Sequence, residues 1–396
     1  MLIERKWTVL ALLFGSITVN LVDRQTLSIL APVIRDELHL SNTQYSVIIF
    51  YFLLGMAVFQ IPTGMLLDRK GARFGLPLLM LWWSAANAMH AFARTVAQFS
   101  LFRFLLGAGE CGNYSGGIKV ISQWFGPKQR ALAGGIFNSG TVIGAFLAPR
   151  LIVWIATTYG WRMAFVLPSA LGLIWIAPWL LFYRDLAPAK KVEAMPALRP
   201  LLGMRQVWGM TLMRMLGGPV VHFYWYWLPE YLTRERHFSM EGIKQLAGIP
   251  FLFAGLGNIA GGWLSGRLIA HGSTADRARK ITFIVSAAMC FMSILVPLVP
   301  GEFLPIAIIS IATFGVSTYN ATHIGTLTDL FSPGVLARVA GITGVGEGVM
   351  NMILTLATGI VVDRFSYLPV FIAAGVLPAL GVLCLFALVR RIEPVA

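Results

Sequence analysis

Charged residues are scarce in this 396-residue chain: they make up 12% of it, whereas hydrophobic residues make up 57%. A soluble globular domain carries about 25% charged residues, and half that share does not cover the surface of a water-exposed chain of this length. The same scarcity excludes an intrinsically disordered chain, which is rich in charge and poor in apolar residues. The composition therefore predicts a protein that lies in a membrane.

Cysteines and acidic residues are also few. The three cysteines all fall in apolar stretches, so the disulfide framework of a secreted module is excluded. The chain has 17 acidic residues against 31 basic ones, which gives a net charge of +14. In a membrane protein such an excess is explained by basic loops on the cytoplasmic side. We therefore predict contact with a lipid bilayer and no nucleic-acid partner.

Long apolar runs are abundant. A transmembrane helix needs about 20 predominantly apolar residues, and the chain offers twelve such segments. The predicted spans are 7–34, 43–67, 75–93, 97–122, 131–157, 162–183, 206–232, 243–270, 281–299, 303–327, 338–362 and 367–389. The first contains Asp23 and Arg24 and no small-residue cleavage site, which predicts a retained helix rather than a signal peptide. The predicted fold class is an all-α membrane protein with twelve transmembrane helices.

The widest polar connection divides these spans into two sets of six. We predict an N-terminal six-helix bundle over residues 1–183, a cytoplasmic linker over 184–205 and a C-terminal six-helix bundle over 206–396. A weak repeat relates the halves, because Gly64-Met-Leu-Leu-Asp68-Arg69 corresponds in position to Gly262-Trp-Leu-Ser-Gly266-Arg267. Transporters built from paired halves bind their substrate at the interface of the halves, near the bilayer midplane.

Basic residues are distributed unequally between the two ends of the spans. Only seven fall in the loops that follow odd-numbered spans: Arg35, Arg94, Arg162, Arg234, Arg236, Lys244 and Arg364. Most of the others lie in the opposite loops and in the two tails. Because cytoplasmic loops carry the excess of Lys and Arg, we predict a multi-pass protein of the inner (cytoplasmic) cell membrane with both termini in the cytoplasm.

Several motifs resemble a known transporter family. The loop Gly64-x-x-x-Asp68-Arg69-x-Gly71-x-Arg73 is similar to the signature of the major facilitator superfamily. Stretches that resemble its anion:cation symporter branch are Asn20-x-x-Asp23-Arg24, Gln60-Ile61-Pro62-x-Gly64, Arg103-Phe-x-x-Gly107-x-x-Glu110, Phe137-Asn138-Ser139-Gly140-Thr141, Gly160-Trp161-Arg162 and Trp227-Leu228-Pro229-x-Tyr231-Leu232. One position departs from the family pattern: Met56 stands where members commonly have a tyrosine, four residues before Gln60.

This resemblance implies the major facilitator fold and a function. The expected protein is a monomeric symporter that imports a sugar-acid anion, such as a hexuronate or an aldonate, by alternating access, with a proton as the coupling ion and no cofactor. The alternatives are an organic-anion exchanger, a sodium-coupled anion transporter and a drug exporter. A membrane sensor or enzyme is a remote alternative, because the sequence has neither a metal cluster nor a nucleophile motif.

Three acidic residues fall deep inside apolar spans: Asp23, Glu110 and Glu347. An ionisable side chain at the bilayer centre costs at least about 2.5–3.5 kcal/mol unless it faces a cavity or a partner. The resemblance implies proton coupling at Asp23 and Glu110. The alternative is a structural ion pair, of Asp23 with Arg24 or with an Arg of another span, and of Glu110 with Arg103. Glu347 is expected either to bind sugar hydroxyls or to hydrogen-bond within its own glycine-rich span.

Arg24 is the predicted clamp for the substrate carboxylate. A guanidinium presents a planar fork that suits a carboxylate, and Asn20 lies one turn earlier on the same stripe of the helix. The alternative is that Arg24 only neutralises Asp23. The further substrate-binding candidates are polar or aromatic residues of spans four, five and seven: Tyr114, Asn138, Ser139, His222, Tyr224 and Trp225.

Other charged residues are predicted to act in gating or to reach the membrane surface. Asp68, Arg69 and Arg73 in the signature loop are expected to form a cytoplasmic latch. Arg103 is expected either to act at an extracellular gate or to extend to the lipid headgroups. The remaining basic residues within spans are expected to reach the headgroups: Lys119, Arg150 and Arg214.

Overall fold

The computed structural model describes residues 2–186 and 198–394, and within these ranges helices are the only regular secondary structure. The α-helices are α1 (Leu2–Leu38), α2 (Asn42–Met89), α3 (Val96–Trp124), α4 (Pro127–Tyr159), α5 (Met163–Phe182), α6 (Leu198–Leu202), α7 (Arg205–Gly217), α8 (Pro219–Arg234), α9 (Met240–Leu246), α10 (Ile249–Ala270), α11 (Ala275–Phe291), α12 (Phe303–Leu330), α13 (Pro333–Arg364) and α14 (Leu368–Leu388). Short 3₁₀ turns follow α2 at His90–Phe92 and α11 at Met292–Leu295.

Nine helical segments in the described ranges are long and apolar enough to cross a membrane. One of them, Asn42–Phe92, covers both the second and the third predicted spans, because the helix continues across a kink at Gly71. The fourth predicted span corresponds to α3, and the seventh is divided between α7 and α8; neither is among the nine. The all-α membrane fold is confirmed, whereas the count of twelve spans stays a prediction.

The described chain forms two compact units. The first consists of Met1–Lys191 together with Pro229–Gly248, and the second of Val192–Leu228 together with Ile249–Ala396. The end of α8 and all of α9 therefore belong to the first unit, although they lie in the half predicted at 206–396. Most of the predicted linker, residues 187–197, lies outside the described residues.

Close backbone packing places α2 and α3 side by side in the first unit. A Cβ atom on Gly55 would lie 2.2 Å from the carbonyl oxygen of Phe104, and one on Gly107 would lie 2.2 Å from that of Phe52. Small residues allow membrane helices to approach this closely. The contact fixes the rotation of α3, and with it the direction of the charged side chains that precede and follow Gly107.

The turn at Gly71 is held by an acid from the end of α5. Gly71 has a φ of 73°, and the Asp185 carboxylate accepts hydrogen bonds from the backbone N–H groups of Ala72 (2.8 Å) and Arg73 (3.2 Å). The Tyr183 hydroxyl donates to the same carboxylate at 3.1 Å, and burial raises the pKa of that hydroxyl, so it stays a donor. Asp185 thus caps the helix that restarts after Gly71.

Candidate functional site

The centre of the first unit contains an ion pair between α1 and α3. Arg24 Nη2 lies 3.0 Å from Glu110 Oε2, and Arg24 Nε donates to the same oxygen at 3.1 Å. The Glu110 side chain is fully buried, and that of Arg24 is 13% exposed. Asn20 Oδ1 accepts from Arg24 Nη2 at 3.4 Å, so the predicted Asn20–Arg24 stripe is a direct contact. The structure therefore pairs Glu110 with Arg24, not with Arg103 as the ion-pair alternative had it.

Arg103 lies close to the Phe52 ring, as Arg24 does. Its guanidinium carbon is 5.7 Å from the centre of the Phe52 ring, and that of Arg24 is 5.3 Å from it. Arg103 Nη1 also donates to the backbone carbonyl of Arg24 at 3.3 Å. Because Arg103 is only 3% exposed, the interpretation that it extends to the lipid headgroups is wrong. The first unit thus holds two guanidinium groups around one phenyl ring.

Asp23 has a different environment from its neighbour Arg24. It is completely buried, and Asn87 Nδ2 of α2 donates to its Oδ1 at 2.8 Å. The structure shows no ion pair of Asp23 with Arg24, so the hypothesis that the two neutralise each other is wrong. The hydrogen-bond donor to Asp23 is therefore a neutral amide.

Asn87 connects Asp23 to α5. Its Nδ2 lies 3.2 Å from both the carbonyl oxygen of Phe165 and the Oγ of Ser169. An amide nitrogen carries only two hydrogens, so these two acceptors and Asp23 compete for them. Sequence analysis missed Asn87, and its only signal is a single amide residue in an apolar predicted span.

His90 is a second buried polar residue that sequence analysis missed. Its Nδ1 lies 2.9 Å from the carbonyl oxygen of Ala86, so this nitrogen carries the ring hydrogen that is donated to the carbonyl. The imidazole stacks on the Phe165 ring with a centroid distance of 5.1 Å. His90 therefore packs one turn from Asn87, against the same α5 segment.

The other predicted substrate residues of the first unit are exposed. Tyr114 is 52% exposed and packs on the Phe137 ring, with centroids 5.8 Å apart. Asn138 and Ser139 of α4 are also exposed, and the Ser139 hydroxyl donates to the carbonyl of Ile136 at 2.7 Å. These three positions lie on the helices that carry or adjoin Glu110.

The second unit has an ion pair of its own. Arg214 Nε of α7 lies 2.7 Å from Glu347 Oε2 of α13, and Arg214 Nη1 lies 3.5 Å from His323 Nδ1 of α12. The prediction that Arg214 reaches the headgroups is therefore wrong, because its guanidinium binds an acid from another helix. Glu347 was predicted to bind sugar hydroxyls or to bond within its own span, and its observed partner is Arg214.

The aromatic candidates of α8 differ in their surroundings. Tyr224 is fully buried, and its hydroxyl lies 2.7 Å from the Ser293 Oγ. His222 and Trp225 are partly buried, and their rings contact each other with centroids 5.3 Å apart. Tyr224 is therefore hydrogen-bonded in the interior of the second unit.

The signature loop forms an ion pair with α3. Lys119 Nζ lies 2.7 Å from Asp68 Oδ1 and donates to the carbonyl oxygen of Leu67 at 2.8 Å. The expectation that Lys119 reaches the headgroups is wrong for this reason. Arg69 is exposed, whereas the backbone of Arg73 is tied to Asp185 as described above.

A further buried acid lies near the end of α1 in the first unit. Glu230 is completely buried; it binds Arg35 of α1, and Arg234 Nε lies 3.3 Å from its Oε1. Arg234 also binds Asp36. Sequence analysis missed this network because Glu230 stands next to Pro229 near the end of the predicted span 206–232 and was not among the acids placed deep inside a span.

The chain is similar in sequence to a known family and to several known transporters. A family model described as Major Facilitator Superfamily matches residues 13–353. The chain is 28% identical to the "Hexuronate transporter" of Escherichia coli (strain K12), over 98% of this chain and 94% of that protein. It is 29% identical to the "Probable L-galactonate transporter" of the same organism, over 97% and 89% of the two chains. It is 31% identical to the "Galacturonate transporter" of Dickeya chrysanthemi, over 65% and 81%.

The fold is also similar to that of a solved transporter structure. It is a bacterial homolog of the human lysosomal transporter Spinster in an inward-facing and occupied conformation, and it matches with a TM-score of 0.78 and 18% sequence identity. The match covers 98% of this chain and 97% of that one.

Proposed function

Because the chain belongs to the Major Facilitator Superfamily and is a membrane transporter rather than an enzyme, we propose that it imports a sugar-acid anion by proton-coupled symport. Hexuronates and aldonates are the leading substrates. The printed functions of the relatives support this class, since they are hexuronate, L-galactonate and galacturonate transporters.

The buried Arg24–Glu110 pair is the observation that carries the proposal. As long as Glu110 is charged, it occupies the guanidinium fork of Arg24. Protonation of Glu110 removes this competitor, and Arg24 then binds the substrate carboxylate in its place. Proton and substrate thereby favour the same state of the carrier, as symport requires. When the substrate leaves, Arg24 regains Glu110 as its partner and the proton is released.

Asp23 is proposed as the second proton-coupling residue. A buried carboxylate that lacks a charged hydrogen-bond partner is costly, and the hydrogen-bond donor to Asp23 is the neutral amide of Asn87. Protonation of Asp23 relieves this cost. The remaining substrate contacts are proposed at the polar and aromatic positions named above, and the gating role at Asp68, Arg69, Arg73 and Arg103.

The proposal is tested by uptake into proteoliposomes. We expect glucuronate, galacturonate or galactonate to accumulate when the outside is more acidic, and a protonophore to abolish the accumulation. Arg24→Ala is expected to abolish binding. Glu110→Gln is expected to keep substrate exchange while it loses proton-driven accumulation, because Gln leaves Arg24 without a charged competitor but carries no proton.

The outcomes separate the alternatives. Uptake that follows a sodium gradient and ignores the protonophore indicates sodium coupling. Exchange without accumulation in the unmodified protein indicates an anion exchanger. A protein that binds drug-like cations and none of the sugar acids contradicts the proposed substrate class.

The setting of the transporter is proposed as well. We propose a monomer in the inner membrane, with both termini in the cytoplasm. The excess of basic residues in the tails and in the loops after even-numbered spans supports this orientation.

A further inference from the structure

The second unit contains an ionic cluster that the proposed mechanism does not use. Arg214 of α7 binds Glu347 of α13 at 2.7 Å and lies 3.5 Å from His323 of α12. Three helices thus bring a cation, an acid and an imidazole to one point. His323 is 1% exposed, whereas the side chains of Arg214 and Glu347 are 27% and 15% exposed.

The missing side chain at Gly218 makes room for this cluster, and Gly218 itself keeps helical backbone angles (φ −58°, ψ −45°). α7 ends at Gly217, and α8 begins at Pro219, which has no N–H group. A Cβ atom on Gly218 would lie 2.4 Å from Glu347 Oε1, and one on Gly217 would lie 2.4 Å from the Tyr319 ring. Any larger residue at Gly218 would push the Glu347 carboxylate away. Close packing at Gly217 and Gly218 therefore fixes the position of the cluster in the unit.

The partial exposure of the pair indicates contact with water. Charged side chains in membrane helices face the bundle interior or a water-filled cavity, because contact with lipid is too costly. Glu347 and His323 engage Nε and Nη1 of Arg214. A guanidinium has five N–H donors, so donors of the same fork remain for an oxyanion that enters from the water-accessible side.

The helices that pack around Glu347 carry other titratable groups that influence its protonation. α7 contributes Arg214, and α12 contributes His323 and Tyr319, whose hydroxyl donates to the carbonyl oxygen of Met213 at 2.8 Å. From α14, Cys384 interacts with Tyr319. Arg214 is the one permanent charge among these named groups, so protonation of Glu347 leaves a net positive cluster.

We propose that Arg214, Glu347 and His323 form a second anion subsite, in which Arg214 binds an oxyanion of the substrate once Glu347 has accepted a proton. The proton comes from the water-accessible side and returns there when the anion leaves. This inference rests on the proposed function, and it assigns to the second unit the exchange that Arg24 and Glu110 carry out in the first.

The test measures the binding of glucuronate, galacturonate and galactonate to the purified protein by calorimetry between pH 5.5 and 8.5. We expect Arg214→Gln to weaken binding by about tenfold or more, because a charge-assisted hydrogen bond is lost. Glu347→Gln is expected to keep tight binding at pH 8.5 and to flatten the pH dependence. His323→Asn removes the imidazole. A pH dependence of binding that persists in this variant is therefore not due to His323, as expected if Glu347 titrates.

A matched control lies in the same unit. Arg279 Nε binds Asp329 Oδ2 at 2.8 Å, with side-chain exposures of 14% and 28%, and Asp329→Asn breaks this pair without touching the cluster. We expect it to leave binding unchanged. If Arg214→Gln does not fold, the double variant Arg214→Gln with Glu347→Gln removes both charges of the pair, and it is also expected to bind about tenfold more weakly.

The outcomes distinguish the two proposals. If the unmodified protein binds none of the three sugar acids, the proposed function fails. If it binds one, Arg24→Ala abolishes that binding, and Arg214→Gln or the double variant binds as tightly as the unmodified protein, only the second subsite is overturned. A Glu347→Gln variant with the pH dependence of the unmodified protein also overturns the subsite.

Discussion

At the scale of single residues, the identity of each ion-pair partner decides what the site can do. Arg24 and Asp23 are adjacent in sequence, yet Arg24 binds Glu110 and Asp23 accepts from Asn87. The two acids are therefore held by donors of different charge. In the proposed mechanism Glu110 competes with the substrate for the Arg24 guanidinium. Asp23 instead accepts from a neutral amide in the interior of the first unit.

Removal of the Asn87 amide is expected to change the proton affinity of the carrier. In Asn87→Ala, Asp23 loses a donor that stabilises its charged form, so it keeps its proton at higher pH. We expect the pH profile of sugar-acid uptake to move to higher pH by about one unit, since one hydrogen bond to a charged group contributes about that much. The profile is measured in proteoliposomes over a series of external pH values.

The control for this variant is another buried amide of the same unit. Asn113 Oδ1 accepts from the Ser16 hydroxyl at 3.1 Å, and Asn113→Ala removes a comparable side chain away from Asp23. We expect it to leave the midpoint of the profile in place. An equal displacement in both variants would mean that loss of packing, rather than loss of the donor to Asp23, moves the profile.

The sequence could not predict which charged side chains of the site pair with each other. Helical spacing correctly put Asn20 and Arg24 on one stripe, because that argument needs only one helix. The pairing of Glu110 with Arg24 depends on the rotation of α3, which is set by the approach of Gly55 and Gly107 to the neighbouring backbone. Arg214 was assigned to the headgroups for the same reason: nothing in its own helix identifies Glu347 as its partner.

At the scale of elements, hydropathy predicted where most helices lie. It did not predict that two spans form one kinked helix or that another span is divided between two helices. The second and third predicted spans form one helical segment with a kink, because Gly71 adopts a φ of 73° and the chain resumes helical geometry at once. The seventh predicted span is interrupted at Gly218. Gly71 leaves helical geometry, whereas Gly218 keeps helical backbone angles and is followed by Pro219, which has no N–H group. A hydropathy profile identifies neither feature.

The cap that Asp185 provides is expected to stabilise the restart of the helix after Gly71. Asp185→Ala removes the acceptor of two backbone N–H groups, and loss of such a cap costs about 1 kcal/mol. We expect the Tm of the detergent-purified protein to fall by about 1–3 °C. Glu302→Ala is the control, because Glu302 stands at the N-cap of α12 without a side-chain cap hydrogen bond. Equal Tm values for Asp185→Ala and the unmodified protein would contradict this role.

At the scale of the whole molecule, the proposed orientation in the membrane rests on the distribution of charge rather than on packing. The loops after odd-numbered spans hold few basic residues, and the opposite loops and tails hold most of them. None of the side-chain contacts described above indicates which side of the membrane each loop faces. The orientation therefore needs its own measurement on the complete chain.

Cysteine labelling supplies that measurement. Cys111 and Cys290 are buried and Cys384 is partly buried, so replacing all three by Ala leaves a background for single exposed cysteines. Glu302 precedes α12 and His271 follows α10, and both are exposed. With both termini in the cytoplasm, Glu302→Cys lies outside and His271→Cys inside. A membrane-impermeant maleimide added to intact cells is expected to label Glu302→Cys alone, and disruption of the membrane is expected to expose His271→Cys as well. Labelling of His271→Cys but not of Glu302→Cys in intact cells would reverse the orientation and would place the signature loop with Asp68 on the outer side.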